Sequence, residues 1–118
     1  MTKLLIIGID AATWSVIKPN LGELPNFKKL MEEGKYKTLV VKEPLLSASL
    51  WCTIFSGKTF KEHGHKKFIV DGKLQTRKNI KVNFIWDILN KKYDIRTLQI
   101  PFVMPPYNFN CEYLPVEY

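Results

Sequence analysis

An almost unbroken run of branched apolar residues that stops at a carboxylate, Leu4-Leu5-Ile6-Ile7-Gly8-Ile9-Asp10, constrains the fold more than any other stretch. Apolar side chains at consecutive positions, rather than at every second one, predict a strand covered on both faces, as in the middle of a parallel sheet. Such a strand delivers Asp10 to the carboxyl edge of the sheet, where α/β proteins place their sites. Gly8 permits close approach of another backbone, and Ala11-Ala12-Thr13 leaves small groups beside the acid. The residues alone leave two roles open for Asp10, a site carboxylate or the N-cap of the following helix.

The rest of the chain continues an α/β order. Thr13 to Ile17 predicts a short helical turn interrupted by Pro19. Pro25 opens an amphipathic helix that carries Phe27, Leu30 and Met31 on one face and closes at Gly34. Tyr36 to Val41 reads as a second strand, Leu50 to Phe55 as a helix ending at Ser56-Gly57 with Ser47 or Ser49 as its cap, and Asn83 to Tyr93 as a further helix. A third strand, Ile95 to Ile100, precedes a proline-rich stretch through Pro105-Pro106 in which no element is placed. Strand, helix, strand, helix, strand predicts a parallel-sheet layer fold of the α/β class. Between these elements, Lys58 to Lys81 is polar and basic, with Val70-Asp71-Gly72-Lys73 as a turn signal inside it.

The 118 residues suffice for one domain or part of one. A net charge of +7 is compatible with an anionic partner, but the lysines are interspersed with Glu32, Glu33, Glu43, Glu62 and Asp71 and read as solvated surface, which disfavours nucleic acid. Cys52 and Cys111 lack metal-type spacing and read as buried hydrophobes in a reducing compartment. With no signal-peptide pattern and no membrane-spanning stretch, the cytoplasm is the expected location.

Two phosphate motifs fail on inspection. Ser56-Gly57-Lys58-Thr59 ends like a P-loop, but Cys52 stands where the earlier glycine is required, and Ala12 and Thr13 replace the later glycines of a dinucleotide fingerprint. Ser47 is a better candidate, because a hydroxyl at a helix N-terminus sees positive partial charge and free N–H groups. His63-Gly64-His65 offers two imidazoles, either as metal donors or as a surface turn.

Taken in order, Ile7 to Trp14, Leu24-Pro25-Asn26-Phe27-Lys28-Lys29-Leu30, Glu33-Gly34, Pro44 to Lys58 and His63-Gly64 resemble the opening of the type I phosphodiesterase and nucleotide pyrophosphatase family, within the alkaline phosphatase superfamily. Ile85 to Leu89, Ile100-Pro101 and Pro105-Pro106 extend the similarity over nearly the whole chain. The resemblance implies that residues 1–118 are the N-terminal part of such a domain, with a partial alkaline-phosphatase-like core. It implies that Asp10 is a metal ligand and that Ser47 is both nucleophile and metal ligand, with divalent ions, usually zinc, lowering the hydroxyl's pKa for attack on phosphorus.

The implied substrate is a phosphate ester or diester, with phosphomonoesterase or phosphomutase chemistry as relatives within the superfamily. Leu50 stands where the nucleotide pyrophosphatase branch carries an Asn that binds phosphoryl oxygen, and the family's remaining Asp and His ligands belong to later segments. The expectation is therefore half an active site, completed by a second polypeptide that carries the missing ligands. The competing expectations are a truncated remnant and a non-catalytic basic binding module.

Overall fold

The computed structural model describes residues 4–41 and 44–102. The chain divides into two compact units, Met1–Val41 and Lys42–Tyr118. Its elements are α1 (Trp14–Ile17), α2 (Pro25–Glu33), α3 (Ser47–Ser56), α4 (Phe60–His63), β1 (Ile69–Val70), β2 (Lys73–Leu74) and α5 (Ile85–Leu89), with single 3-10 turns at Lys18–Asn20 and Arg77–Asn79.

In the first unit Thr13 caps α1. Its carbonyl accepts from the N–H groups of Val16 and Ile17 at 3.0 Å, and its hydroxyl lies 3.1 Å from the Ser15 hydroxyl. Pro19 diverts the chain into the 3-10 turn, because a proline nitrogen has no hydrogen for the helical ladder. Pro25 occupies the first turn of α2, and the N–H of Gly34 closes the helix on the Leu30 carbonyl at 3.0 Å. A Cβ on Gly34 would stand 2.7 Å from that oxygen, so the close approach requires glycine. Segment 36–41 is held near α1 by Trp14 and Tyr36, whose ring centroids are 5.4 Å apart, with the Lys18 ammonium over both rings.

Among the described residues the predicted parallel sheet is not seen. Among the described residues the only ladder is an antiparallel hairpin, β1 against β2, with Ile69 opposite Leu74 and Val70 opposite Lys73. Residues 4–9 and 36–41 carry no strand pairing, and within the first run Leu4, Leu5, Ile6, Ile7 and Ile9 are 54% to 81% exposed. Parallel strands persist only where crossover segments cover both faces, and neither face of this run is covered here. Segment 95–100 comes closer to expectation, with Ile95 and Thr97 turned inward and Arg96 and Leu98 outward, until Gln99 takes a φ of +48° and ends the extension.

The core belongs to the second unit. Ala48 and Cys52 of α3 pack with Ile80, Phe84, Trp86 and Phe102, and Trp51, Phe55, Phe68, Val82, Ile95 and Ile100 lean on that cluster. Phe55, Phe84 and Trp86 meet pairwise at 4.8 to 5.8 Å between centroids, mostly tilted or edge-on as their quadrupoles favour. The hairpin turns through Asp71 and Gly72, with φ of +50° and +71°, a primed turn matched to strand twist. Helix α5 begins at Ile85, with Phe84 as its cap residue, and covers only part of the predicted span. Cys52 is buried as expected, whereas Cys111 and the Pro105-Pro106 stretch lie outside the described residues. No helix among the described residues is long and apolar enough to cross a membrane.

Candidate functional site

Asp10 sits in the first unit, at the end of the unpaired run, in a turn completed by Ala11 at a φ of +56°. A left-handed alanine is uncommon, because its Cβ crowds the carbonyl. The turn separates Asp10 from α1, and Thr13 does the capping, so the N-cap role left open for Asp10 is not the one it plays. Its side chain is exposed.

Ser47 is the first residue of α3 in the second unit, with an exposed side chain. Leu46 precedes it in extended conformation as the cap residue and has no side-chain acceptor to offer. The capping role expected of Ser47 or Ser49 is thus filled by neither, because both lie inside the helix. The first helical bond is donated by the N–H of Leu50 to the Leu46 carbonyl, at 2.9 Å. The N–H groups of Ser47, Ala48 and Ser49 come before it, and they give this end of α3 its positive partial charge. Ser49 is fully buried and its hydroxyl has no hydrogen-bond partner among the described residues. Leu50, half-buried, offers no side-chain donor there.

The far end of α3 is specified in detail. Gly57 adopts a φ of +65° and returns its N–H to Thr53 at 2.9 Å, while the Ser56 hydroxyl donates to the Cys52 carbonyl at 2.6 Å. Thr59 then opens α4. Its N–H and hydroxyl donate to the Glu62 carboxylate at 2.8 and 3.0 Å, and Lys58 adds an ammonium at 3.2 Å. The Thr59 N–H, then Lys58, hold the Glu62 carboxyl down at about 2. The P-loop-like residues therefore form a helix stop and a helix start, not a phosphate cradle.

The two histidines are buried and are not a surface turn. His63 Nε2 lies 2.9 Å from Thr53 Oγ1, and His63 Nδ1 accepts from the backbone N–H of His65 at 3.0 Å. His65 meets the Phe102 ring edge-on at 4.7 Å, and burial, then the proximity of His63, lowers its pKa. Of the other acids weighed, Asp87 is committed structurally, accepting at 2.7 Å from both the Phe84 N–H and Arg77 Nη2. Asp71 forms the hairpin turn, and Asp94 is exposed. Burial raises the Cys52 thiol to about 11, with the Arg77 charge acting weakly against it, so this cysteine is no nucleophile at neutral pH.

The donor set can be tested against a divalent ion. Among the described residues no three His, Cys, Asp or Glu side chains converge, and both His63 nitrogens are engaged in hydrogen bonds. These residues do not hold a metal by themselves, since even a minimal catalytic ion needs about three protein ligands. The Thr53–His63 pair was not singled out from sequence. Its signal was two polar residues flanking a Gly-Lys-Thr helix stop, too common a pattern to be read without coordinates.

A profile of the type I phosphodiesterase / nucleotide pyrophosphatase family matches residues 4–93, a partial domain. No curated protein and no solved structure matches the sequence significantly. The matched span contains Asp10, Ser47, the α3–α4 stop and His63-Gly64, and it extends over most of the chain: this protein belongs to the type I phosphodiesterase / nucleotide pyrophosphatase family.

Proposed function

We propose that this chain supplies the nucleophile segment of a phosphodiesterase or nucleotide-pyrophosphatase-like hydrolase acting on phosphate esters or diesters. The observation that carries the reading is Ser47, an exposed hydroxyl on the first residue of a ten-residue helix whose leading N–H groups are not capped by a side chain. An uncapped helix N-terminus favours a phosphoryl oxygen, and its field stabilises an alkoxide beside it. Ser47 Oγ would form a bond to phosphorus while the ester P–O bond breaks and the leaving alcohol takes a proton. Water then cleaves the phosphoserine and restores the hydroxyl.

The family is metal-dependent. Asp10 and Ser47 are the residues of this chain with a family reason to be ligands, and further donors are required. We propose that these come from a complementing polypeptide, and that zinc is the ion in the completed site. Leu50 removes one phosphoryl contact of the nucleotide pyrophosphatase branch and favours a substrate bound chiefly by backbone N–H groups and metal. The test is hydrolysis of a chromogenic phosphodiester, with the corresponding monoester alongside, in the presence of zinc and then of the complementing polypeptide. Ser47→Ala should lower the rate by about a thousandfold or more, since loss of a nucleophile removes the covalent route. Asp10→Asn should raise the zinc concentration needed for half-maximal activity. Undiminished hydrolysis by Ser47→Ala would remove the nucleophile assignment.

A further inference from the structure

The geometry points to His63 as a positioning residue that fixes the rotation of α3, and with it the presentation of Ser47, through a hydrogen bond donated by Nε2 to the Thr53 hydroxyl. The tie itself stands on two distances. The consequence for Ser47 rests on the nucleophile reading above.

The direction of the bonds follows from what each group can do. The backbone N–H of His65 can only donate, so His63 Nδ1, 3.0 Å away, carries a lone pair. The ring hydrogen is therefore on Nε2, which donates to Thr53 Oγ1 at 2.9 Å. An imidazole that donates to a hydroxyl cannot also take its proton, so Thr53 and His63 are not a nucleophile and its base. The ring is further confined by the edge-on Phe60 ring at 5.8 Å and by its own burial.

The tie adds direction to the seating of helix α3. Its sequence, Ser-Ala-Ser-Leu-Trp-Cys-Thr-Ile-Phe-Ser, carries apolar residues round more than half of its circumference, with Ser49, Thr53 and Ser56 together on the remaining side. Ala48 and Cys52 enter the core while Ile54 stays exposed. Ala48 and Cys52 are packed in the core with Trp51 and Phe55 beside them, and to this non-directional packing the bond to Thr53 adds a directional constraint. One residue step of roll is about 100° and carries Ser47 to a different face. A hydrogen bond to Thr53 is directional and selects one rotation. The Gly57 stop leaves only Gly57, Lys58 and Thr59 between α3 and α4, so His63 is delivered back to Thr53 without slack.

The tie can be tested on the whole chain by three measurements. The imidazole nitrogen spectrum should give His63 as the Nε2–H tautomer, and a hydrogen on Nδ1 overturns the proposal. Thr53→Val keeps the shape and removes the acceptor, and it should speed amide exchange from Leu50 to Phe55 by about ten- to hundredfold. Thr53→Ser, which keeps the hydroxyl, should restore slow exchange, and this variant decides if the valine protein does not fold. In the hydrolysis assay Thr53→Val should lower kcat by about tenfold or more with KM little changed, again rescued by serine. Wild-type exchange in Thr53→Val, or a kcat loss that serine does not rescue, overturns the proposal. If Ser47→Ala keeps full activity, the nucleophile reading falls, while tautomer and exchange still judge the tie.

Discussion

Asp87→Ala should destabilise the second unit more than loss of a surface carboxylate does. One oxygen of Asp87 accepts from the Phe84 N–H and from Arg77 Nη2, each at 2.7 Å, and the two charged side chains are only 17% and 20% exposed. Loss of the carboxylate leaves the leading N–H of α5 unpaired, a capping loss of about 1 kcal/mol. It also removes the Asp87 charge from the Arg77 guanidinium, which lies over the Phe84 ring and donates through Nη1 to the Ile80 carbonyl at 2.8 Å. A charge-assisted bond at this burial is worth about 1.5 kcal/mol, between the exposed and fully buried limits, so the sum is about 2 to 3 kcal/mol. In a urea titration followed by tryptophan fluorescence, with Trp86 beside the site, the midpoint should fall by roughly 1 to 2 M. A double-mutant cycle with Arg77→Met should return a coupling of about 1 kcal/mol or more that persists in high salt. A midpoint within experimental error of the parent, or a coupling of zero, would refute the argument that this pair anchors α5.

Three further outcomes follow from the same structure. In a Cys111→Ser background Cys52 should react with a thiol reagent only on unfolding, because the rise from 9.0 to about 11 cuts the thiolate fraction about a hundredfold at neutral pH. Acid should destabilise the chain in two stages, since His65 and Glu62 both have folded-state pKa values below their ordinary ones, and the unfolded chain therefore binds more protons. His65 contributes stability that is complete above about 6.5 and lost as pH falls below it; Glu62 does the same from about 4.5 down to about 2, and Glu62→Gln should flatten that second stage in an acid titration followed by circular dichroism. Ile7→Asn should leave the stability of the chain alone within about 0.5 kcal/mol, because Ile7 is exposed, yet abolish activity gained on addition of a complementing polypeptide; activity retained on complementation would show that the run stays unpaired in the active form.

What could be read from sequence is what local chemistry decides. Pro25 and Gly34 bound α2 as predicted, and Gly57 ends α3 in the left-handed conformation that a glycine at that position advertises. Asp71-Gly72 makes the expected hairpin turn, because two consecutive positive φ angles are cheap for that pair. The run Leu4 to Ile9 departs from its expectation for the opposite reason. Its apolar content predicts burial, but burial of a parallel strand depends on distant segments, and the described residues provide none. His63 and Asp87 show a second limit. Each lies ten positions from its partner, Thr53 and Arg77, and hydrophobic periodicity carries no signal for a polar pair at that spacing.

The two candidate site residues fall on opposite sides of that divide. The seat of Ser47 is local: an uncapped first turn, a glycine stop ten residues later and an imidazole tie from the next helix, all within 46–63. Asp10 has a local turn, through Ala11, but the run that leads to it carries no strand pairing among the described residues, and pairing of such a run depends on segments distant in sequence. Loop closure for such pairing is costly and is recovered only when both faces of the sheet are covered. The turns and caps around Ser47 therefore form without any such pairing, which the run before Asp10 lacks among the described residues.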